Sequence, residues 1–318
     1  MITTLGDTGL TVTRIGLGLA ALGRPAYINL GHAADLAGQT DVDSMEHAAH
    51  AVLDAAYAAG VRYFDAARSY GKAEAFLASW LARRGFGPGD VTVGSKWGYT
   101  YTGEWRIDAE VHEVKDLSAD TFRRQLAETR ELLGDHLHLY QIHSATLDSG
   151  VLDDREVIDE LAGLRASGVF IGLTTSGQQQ AETIERAMAL GGFDAVQSTF
   201  NLLERSVGPA LAAAHDAGMG VLVKEALANG RLTDRGDVSE LMTAAREAGT
   251  TPDALALAAV LTQPWVDVVL SGATTVGELQ SNLAALCVEP DPDLLERLEG
   301  LAEAPDRYWG ERSELPWN

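Results

Sequence analysis

Short runs of apolar and β-branched residues alternate along the chain with longer segments rich in Ala, Leu, Glu and Arg. The short runs have the composition of buried strands, and the longer segments carry apolar residues at the spacing of amphipathic helices. Strands are predicted at residues 15–19, 61–65, 91–95, 139–143, 169–174, 194–198, 220–224 and 266–270. Intervening helices are predicted, for example, at residues 44–59, 73–84, 119–133, 153–166, 178–190, 208–217 and 275–286.

Eight β/α units in succession predict a parallel sheet, because each helical crossover returns the chain to the same end of the sheet. Eight is also the number that closes a (β/α)8 TIM barrel, and the length of 318 residues fits one such domain over residues 1–318. A doubly wound sheet is the alternative. The run "GLGLAA" (16–21) loosely matches its phosphate-binding turn, but Gly23, Pro25 and Gly31 break the helix that should follow. We therefore reject that alternative.

The opening segment "TTLGDTGLTVTRI" reads as two short strands joined at "DTG", which predicts an N-terminal β-hairpin closing the barrel floor. Three segments, at 20–43, 97–117 and 301–318, are too long for simple connections. Long loops in a compact barrel are usually functional, so we expect them at the C-terminal face of the strands. Arg24 and His32, in the first of these loops, are candidates to face the substrate, but solvated positions are the favoured expectation for both.

Composition narrows the possible partners. The net charge is −22 and no Lys/Arg-rich run occurs, which argues against nucleic-acid or anionic-membrane binding. Cys287 is the sole cysteine, and neither a signal peptide nor an apolar stretch of bilayer-spanning length is evident. A cytoplasmic protein is therefore expected. No metal-ligand spacing occurs, so we predict no metal site.

Four polar side chains stand at or just beyond the ends of three successive predicted strands. Asp65 ends the second strand and Tyr70 follows it in "RYFDAARSYG"; Lys96 follows the third strand and His143 closes the fourth. Chemistry in barrel enzymes is carried at these positions. A lysine held by a carboxylate is expected to lower the pKa of a neighbouring tyrosine from about 10, which would make the phenol a proton donor. Singly, each residue has a structural explanation, from helix capping to loop packing. Together they favour catalysis.

The chain resembles the aldo-keto reductases nearly from end to end. The resemblance is carried by "LGDTGLTVTRIGLG", "YFDAARSYG", "SKWG", "IHS", "QSTFNLLERS", "LANGRL", "LSGATTVGELQSNL" and "RYWGERSELPWN". It implies a (β/α)8 barrel that binds a nicotinamide dinucleotide and transfers hydride to a carbonyl carbon. Within it, Tyr70 is the general acid, Lys96 and Asp65 tune it, and His143 positions the carbonyl.

The resemblance also implies cofactor-binding positions. Thr174 and Gln197 are matched to contacts with the nicotinamide carboxamide, whereas Thr175 replaces the usual asparagine and Lys224 the usual stacking aromatic residue. The full implied set is Gly18, Leu19, Thr174, Thr175, Gln197, Lys224, Glu225, Leu227, Gly230, Ser271, Gly272, Thr274, Glu278 and Asn282.

The eighth β/α unit contains the residues that are expected to determine the choice between NADP and NAD. In the family, a basic or polar side chain near the positions of Thr274 and Glu278 holds the adenosine 2′-phosphate. Residues 266–296 contain no lysine or arginine, and Glu278 would repel a phosphate dianion. The family default is NADPH, but the local chemistry leans towards NADH, unless Arg231 or Arg235 reaches in from the seventh loop.

Aromatic residues on the long loops suggest an apolar substrate pocket for a small carbonyl compound or sugar, with Trp97, Trp105 and Trp309 as predicted contacts. The function predicted is an NAD(P)-dependent carbonyl–alcohol oxidoreductase. Two alternatives remain open: a nicotinamide-binding regulatory module with little turnover, and a lyase that forms a Schiff base at Lys96.

Overall fold

Eight parallel strands close into a barrel in the computed structural model, which describes residues 2–318. Around the barrel each strand pairs with the next barrel strand in chain order, and the last strand closes back on the first. This confirms the predicted (β/α)8 fold. The barrel strands are β3 (Ile15–Gly18), β4 (Tyr63–Asp65), β5 (Thr92–Trp97), β8 (Leu137–Ala145), β9 (Phe170–Thr175), β10 (Ala195–Thr199), β11 (Gly220–Lys224) and β12 (Val268–Ser271).

Helices cover the outside of the barrel and fill its longer connections. They are α1 (His32–Asp35), α2 (Val42–Ala58), α3 (Ala73–Arg84), α4 (Ala119–Leu133), α5 (Arg155–Ala166), α6 (Gln180–Leu190), α7 (Gly208–Asp216), α8 (Ser239–Glu247), α9 (Pro252–Leu261), α10 (Val276–Leu283), α11 (Pro292–Glu299) and α12 (Pro305–Ser313). Several begin where a side chain accepts a hydrogen bond from an otherwise unpaired backbone N–H, as Asp41 does at α2 and Ser118 at α4.

An antiparallel hairpin of β1 (Ile2–Thr4) and β2 (Thr11–Thr13) closes the floor of the barrel, as predicted. Leu5 and Val12 pack inside with Leu222 and Val268 of the barrel wall. The Asp7 N–H donates to the carbonyl of Gly218 at 3.0 Å, which ties the hairpin to the start of β11. The floor is therefore filled by side chains and does not form a pore.

The long loops lie at the opposite end, where the strands terminate. The loop after β5 folds back as a second hairpin, β6 (Tyr99–Tyr101) paired with β7 (Glu113–Lys115). The loop after β3 docks on the loop that carries Tyr70, since the Lys72 N–H donates to the carbonyl of Gly23 at 2.7 Å. A Cβ at Gly23 would lie 2.2 Å from the carbonyl oxygen of Tyr70, so only glycine permits this approach.

The floor depends on Asp267, which precedes β12. Its Oδ2 accepts hydrogen bonds from the N–H groups of Gly6 (3.1 Å) and Val221 (2.8 Å). Asp267→Ala would leave both donors without this acceptor, at a cost of about 1–3 kcal/mol each. We expect the free energy of unfolding in urea to fall by about 2–4 kcal/mol.

Asp159→Ala is the matched control, because Asp159 lies on α5 with an exposed side chain. It should change the free energy of unfolding by no more than about 0.5 kcal/mol. An equal, small effect of the two substitutions would show that Asp267 does not hold the floor.

Candidate active site

The predicted catalytic residues converge at the mouth of the barrel. β4, β5 and β8 are neighbours, and alternate residues along each strand face inwards, which brings Asp65, Lys96 and His143 together. Tyr70 reaches the same place from the loop after β4. A cavity of about 660 Å³ opens there and is lined by Asp65, Tyr70 and His143, among other residues. Its volume is within the usual range for small-molecule sites.

An ion pair between Lys96 and Asp65 lies beneath this cavity. The two side chains are 1% and 2% exposed, and Lys96 Nζ also donates to the carbonyl of Ala66 at 3.0 Å. The other carboxylate oxygen, Asp65 Oδ1, accepts from Tyr63 Oη (3.1 Å), Gln197 Nε2 (3.2 Å) and Gln141 Nε2 (3.4 Å). A buried ion pair is stable only when its remaining hydrogen-bonding capacity is satisfied in this way.

Gly94, which faces Asp65 across the β4–β5 ladder, makes room for this network. A Cβ at this position would lie 2.3 Å from Tyr63 Oη. Any larger residue would push the Tyr63 hydroxyl away from the carboxylate that it contacts. The glycine of "VTVGSK" is thus a packing requirement of the site.

Tyr70 lies against the ion pair without joining it. Lys96 Nζ is 4.9 Å from the centre of the Tyr70 ring, and the amine hydrogen bonds given by the structure go to Asp65 and Ala66. Burial, and then the charge of Asp65, raise the pKa of Tyr70 well above its usual value, and Arg24 opposes them. The expectation that this pKa is lowered is therefore wrong, because burial of the phenol outweighs the nearby ammonium. The Lys96 charge is balanced by Asp65, and burial of the phenol dominates.

His143 is the second group that faces the cavity beside Tyr70. Their ring centres are 5.4 Å apart in an edge-to-face arrangement, and Ser69 Oγ lies 3.4 Å from His143 Nδ1. Burial, and then the charges of Lys96 and Lys224, lower the pKa of His143 well below its usual value. A neutral phenol and a neutral imidazole thus point into the same space, and both can donate a hydrogen bond to one oxygen atom.

Arg24 belongs to the mouth, although the sequence analysis expected it to be solvated. Its side chain is 3% exposed, and Nη1 donates to the carbonyl of Ser69 (3.0 Å) and to Glu113 Oε2 (2.8 Å). The guanidinium carbon lies 5.3 Å from the centre of the Tyr70 ring and 4.7 Å from that of Trp317. His32 is also buried, against Tyr27. A cation therefore joins the Tyr70 loop, the β6–β7 hairpin and the tail.

The tail forms a roof over the cavity. Asn318 and Tyr27 exchange backbone hydrogen bonds of 3.0 and 3.2 Å, and the Ala33 N–H donates to Asn318 Oδ1 at 3.2 Å. Trp317 stacks on His112 with ring centres 4.2 Å apart. The aromatic side chains that line the cavity are consequently Tyr27, Tyr70, Tyr99 and Trp317.

The three tryptophans predicted as substrate contacts lie elsewhere. Trp97 follows inward-facing Lys96 on β5, so its side chain points outwards, where it packs against Phe122. Trp105 donates to the carbonyl of Thr40 (2.6 Å), and Trp309 packs on Tyr308 in the outer core. These three residues pack the core and the loops and do not line the cavity.

From the mouth the cavity continues as a groove along the ends of β10, β11 and β12. Most positions implied for the cofactor line it: Gly18, Gln197, Lys224, Glu225, Leu227, Gly230, Ser271, Gly272, Glu278 and Asn282. Leu19, Thr174, Thr175 and Thr274 do not. Thr174 Oγ1 accepts from the Ser144 N–H (2.7 Å), and Thr175 Oγ1 is 2.5 Å from Ser198 Oγ. Both hydroxyls are thus engaged within the protein.

The far end of the groove, at the start of α10, is acidic. Glu278 Oε2 accepts from the N–H groups of Thr274 (2.8 Å) and Thr275 (3.2 Å), which completes a capping box. Asp234 and Asp253 also line this end. Arg235 reaches in, but it is paired with Asp35 and lies 3.4 Å from Glu278 Oε1. Arg231 turns away and binds Glu303.

A cavity with aromatic walls and convergent polar groups suits an organic ligand. Within residues 2–318, no group of three or more His, Cys, Asp or Glu side chains is arranged to hold a metal ion.

No helix in that same range has the length and apolar character needed to cross a membrane.

Comparison with known proteins decides the family. The model of the aldo/keto reductase family matches residues 14–303. The chain belongs to this family. Aldo-keto reductases are oxidoreductases that use a nicotinamide dinucleotide and act on small carbonyl compounds, so the chain is an enzyme of that general class.

Among related proteins, the uncharacterized oxidoreductase YrpG of Bacillus subtilis is 26% identical, over 96% of this chain and 98% of the relative. The NADH-specific methylglyoxal reductase of Escherichia coli is 24% identical, over 95% and 98%. The holo form of the aldo-keto reductase AKR11C1 from Bacillus halodurans superposes with a TM-score of 0.72 at 21% identity, over 95% of this chain and 96% of that one. This last likeness supports the fold.

The residues of the groove fit the dinucleotide of an aldo-keto reductase. The groove runs from the four mouth residues to the N-terminus of α10, and glycines 18, 230, 272 and 277 line it. Two polar atoms near its walls, Asn229 Oδ1 and Thr274 Oγ1, are buried without a hydrogen-bond partner among the described residues. Buried polar atoms without partners are uncommon in folded proteins, and a bound group can supply the missing hydrogen bond.

The Lys96–Asp65 pair can be tested by a double-mutant cycle. Asp65→Ala leaves a buried ammonium without its counter-ion, and we expect the free energy of unfolding to fall by about 3–5 kcal/mol. In Lys96→Met/Asp65→Ala neither charge remains, so the double variant should be much more stable than the sum of the single effects implies. Urea unfolding of the four proteins at pH 7 measures the coupling. Simple additivity would mean that the two charges do not stabilise each other.

Proposed function

We propose that this aldo-keto reductase is an NADH-preferring reductase of small carbonyl compounds, with Tyr70 as the proton donor. The observation that carries the proposal is the convergence of Tyr70 and His143 over the buried Lys96–Asp65 pair at one end of a long groove. The cofactor would supply a hydride to the carbonyl carbon. The protein's own residues would bind the carbonyl oxygen, exclude water and deliver the proton.

The protonation states favour the reductive direction. The raised pKa of Tyr70 keeps the phenol protonated, and the lowered pKa of His143 keeps its imidazole neutral near pH 7. A carbonyl oxygen between them would receive two hydrogen bonds as it gains negative charge. Proton transfer from Tyr70 would complete the alcohol, and the Lys96 ammonium near the ring would stabilise the phenolate that forms.

The contacts of Lys96 argue against a Schiff-base mechanism. A lysine that attacks a carbonyl must present a neutral, accessible amine. Lys96 is buried, paired with Asp65 and hydrogen-bonded to Ala66. The other alternative is a regulatory module with little turnover. No feature of this site favours that role over catalysis.

The preference for NADH is supported by the acidic end of the groove. Arg235 contacts Asp35 and Glu278, and Asp234 and Asp253 also line this end of the groove, which gives it a formal excess of negative charge. A 2′-phosphate dianion would be repelled there, whereas a free 2′-hydroxyl could donate to a carboxylate. The E. coli relative is named as NADH-specific, which agrees with this preference.

The mouth favours small, polar substrates. Tyr27, Tyr99 and Trp317 narrow it, and the Arg24 guanidinium stands beside them. Flat aromatic walls with a cation suit short aldehydes or sugars that carry a second oxygen atom. Methylglyoxal, which the name of the E. coli relative mentions, is one such compound.

Tyr70→Phe tests the proton donor. Without the hydroxyl the reduced product cannot be protonated by this residue, and we expect kcat for aldehyde reduction to fall by at least about 10²-fold. The Kd for NADH should change by less than about twofold, because the ring remains in place. Kinetics are followed by absorbance of the reduced nicotinamide, and the Kd is measured by fluorescence titration.

Tyr57→Phe is the control, since Tyr57 lies on α2, packs against Trp80 of α3 and is not among the residues that line the cavity. Its kcat should match that of the unmodified protein. Undiminished turnover by Tyr70→Phe would exclude Tyr70 as the acid.

Glu278→Gln tests the cofactor preference. Glutamine can keep the capping hydrogen bonds to Thr274 and Thr275 but removes the negative charge. We expect the ratio of kcat/KM for NADH to that for NADPH to fall by about tenfold, because the phosphate is no longer repelled by this side chain.

Glu289→Gln, an exposed change on the loop after α10, makes the same change in net charge and should leave the ratio unaltered. A strong preference for NADPH in the unmodified protein would refute the proposed selectivity at once.

A further inference from the structure

Lys224 ends β11 and places a cation in the wall of the cavity. Its Nζ donates to Thr199 Oγ1 at 2.8 Å, and it is 3.9 Å from Glu225 Oε1. The residue is only partly exposed and lines the cavity together with Gln197, Tyr70 and His143. Lysine is a costly residue in such a place, because its ammonium loses most of its water on burial.

The carboxylate nearest to Lys224 has a second, stronger partner. Arg312 of α12 binds Glu225 through both oxygens, with Nε at 2.8 Å from Oε2. Glu225 also has a backbone φ of 53°, a left-handed conformation that non-glycine residues adopt at a cost of about 1–2 kcal/mol. The Glu225 charge is therefore shared, and it does not balance Lys224 alone.

Lys224 and the four charged groups that act on it electrostatically form a cluster in this part of the protein. The cations are Lys224, Arg312 and Lys96, and the anions are Glu225 and Asp65. Three positive charges against two negative ones leave the cluster with a formal charge of +1 when Lys224 is protonated. His143, which also lies close, adds no charge near pH 7, because its pKa is lowered.

The proposed function places the nicotinamide ring in this part of the cavity. Hydride must reach the carbon whose oxygen contacts Tyr70 and His143, so the ring has to lie within van der Waals distance of that carbon. The oxidised ring carries a positive charge and the reduced ring is uncharged. An excess of positive charge in the wall therefore repels the oxidised ring of the dinucleotide and leaves the uncharged, reduced ring unaffected.

We propose that Lys224 makes the cavity distinguish the two redox states of the cofactor, so that NADH binds more tightly than NAD⁺. The inference rests on the proposed function. The site would release the oxidised product of a reduction readily and would be inhibited weakly by it. Lys224 acts here as a cofactor-selecting residue and takes no part in proton transfer.

The effect should depend on pH. Burial, opposed by Glu225, lowers the pKa of Lys224 to about 8. Below that pH the ammonium repels the oxidised ring, and above it the neutral amine does not. Affinity for NAD⁺ should therefore rise as the pH increases through this range, while affinity for NADH stays nearly constant.

The test is an equilibrium measurement without substrate. We would determine the Kd of NADH and of NAD⁺ by calorimetry or intrinsic fluorescence at pH 6.5, 7.5 and 9, for the unmodified protein, Lys224→Met, Lys224→Arg and Lys72→Met. Lys72 is an exposed lysine next to α3, so its substitution makes the same change in net charge outside the cavity.

For the unmodified protein we expect the ratio of the Kd for NAD⁺ to that for NADH to fall on the order of tenfold between pH 6.5 and 9. Lys224→Met should lower the ratio at pH 6.5 by a similar factor and remove its pH dependence. Lys224→Arg keeps the charge at all three pH values, so its ratio should stay high even at pH 9. Lys72→Met should behave as the unmodified protein does.

Two results would overturn the inference alone. In one, both dinucleotides bind the unmodified protein with a ratio that does not vary with pH. In the other, Lys224→Met weakens both dinucleotides equally, which would indicate a packing role. If Lys224→Met does not fold, as judged by circular dichroism, the pH series and Lys224→Arg still decide. If neither dinucleotide binds the unmodified protein, the proposed function fails and the inference falls with it.

Discussion

The buried pair of Lys96 and Asp65 is the interaction on which the mouth of the barrel depends. Removing two charges from water costs several kcal/mol per ion, and only mutual attraction with fully used hydrogen-bonding groups offsets it. The barrel meets that demand with groups from three further strand positions, Tyr63, Gln141 and Gln197, together with the carbonyl of Ala66. The same demand fixes the register in which β4, β5, β8 and β10 present their side chains.

The pairing also determines the chemistry above it. Because the Lys96 charge is held by Asp65, neither Tyr70 nor His143 is forced to ionise, and burial keeps both neutral. Two further cations of the cavity, Arg24 and Lys224, come from outside the predicted catalytic set. One joins loops around the Tyr70 ring, and the other stands in the wall that faces the groove. The chain as a whole carries a net charge of −22. Positive side chains nevertheless lie where a carbonyl compound and a dinucleotide would meet.

The barrel could be predicted because each strand is buried on both sides and each helix is amphipathic, so local patterns carry the fold. The four mouth residues could be found because barrel chemistry lies at strand ends.

The prediction that Trp97 contacts the substrate is wrong, although the sequence contains the information to avoid it. Neighbouring residues along a strand face opposite sides, so an inward-facing Lys96 requires an outward-facing Trp97. No local pattern places Arg24 or Trp317, since their positions depend on contacts between distant loops. The pKa of Tyr70 was misjudged because burial, which the sequence does not display, outweighs the nearby ammonium.

At both ends of the barrel, residues near the N-terminus form hydrogen bonds with residues near the C-terminus. Gly6 and Asp267 join the floor across 261 residues, and Ala33 and Asn318 join the roof across 285. Contacts of such separation are the slowest to form, since they must wait until the intervening chain is ordered. We therefore expect the cavity to form late in folding, after the ring of strands has closed. A partly folded or clipped chain can keep many of its helices and still have no place to hold a substrate.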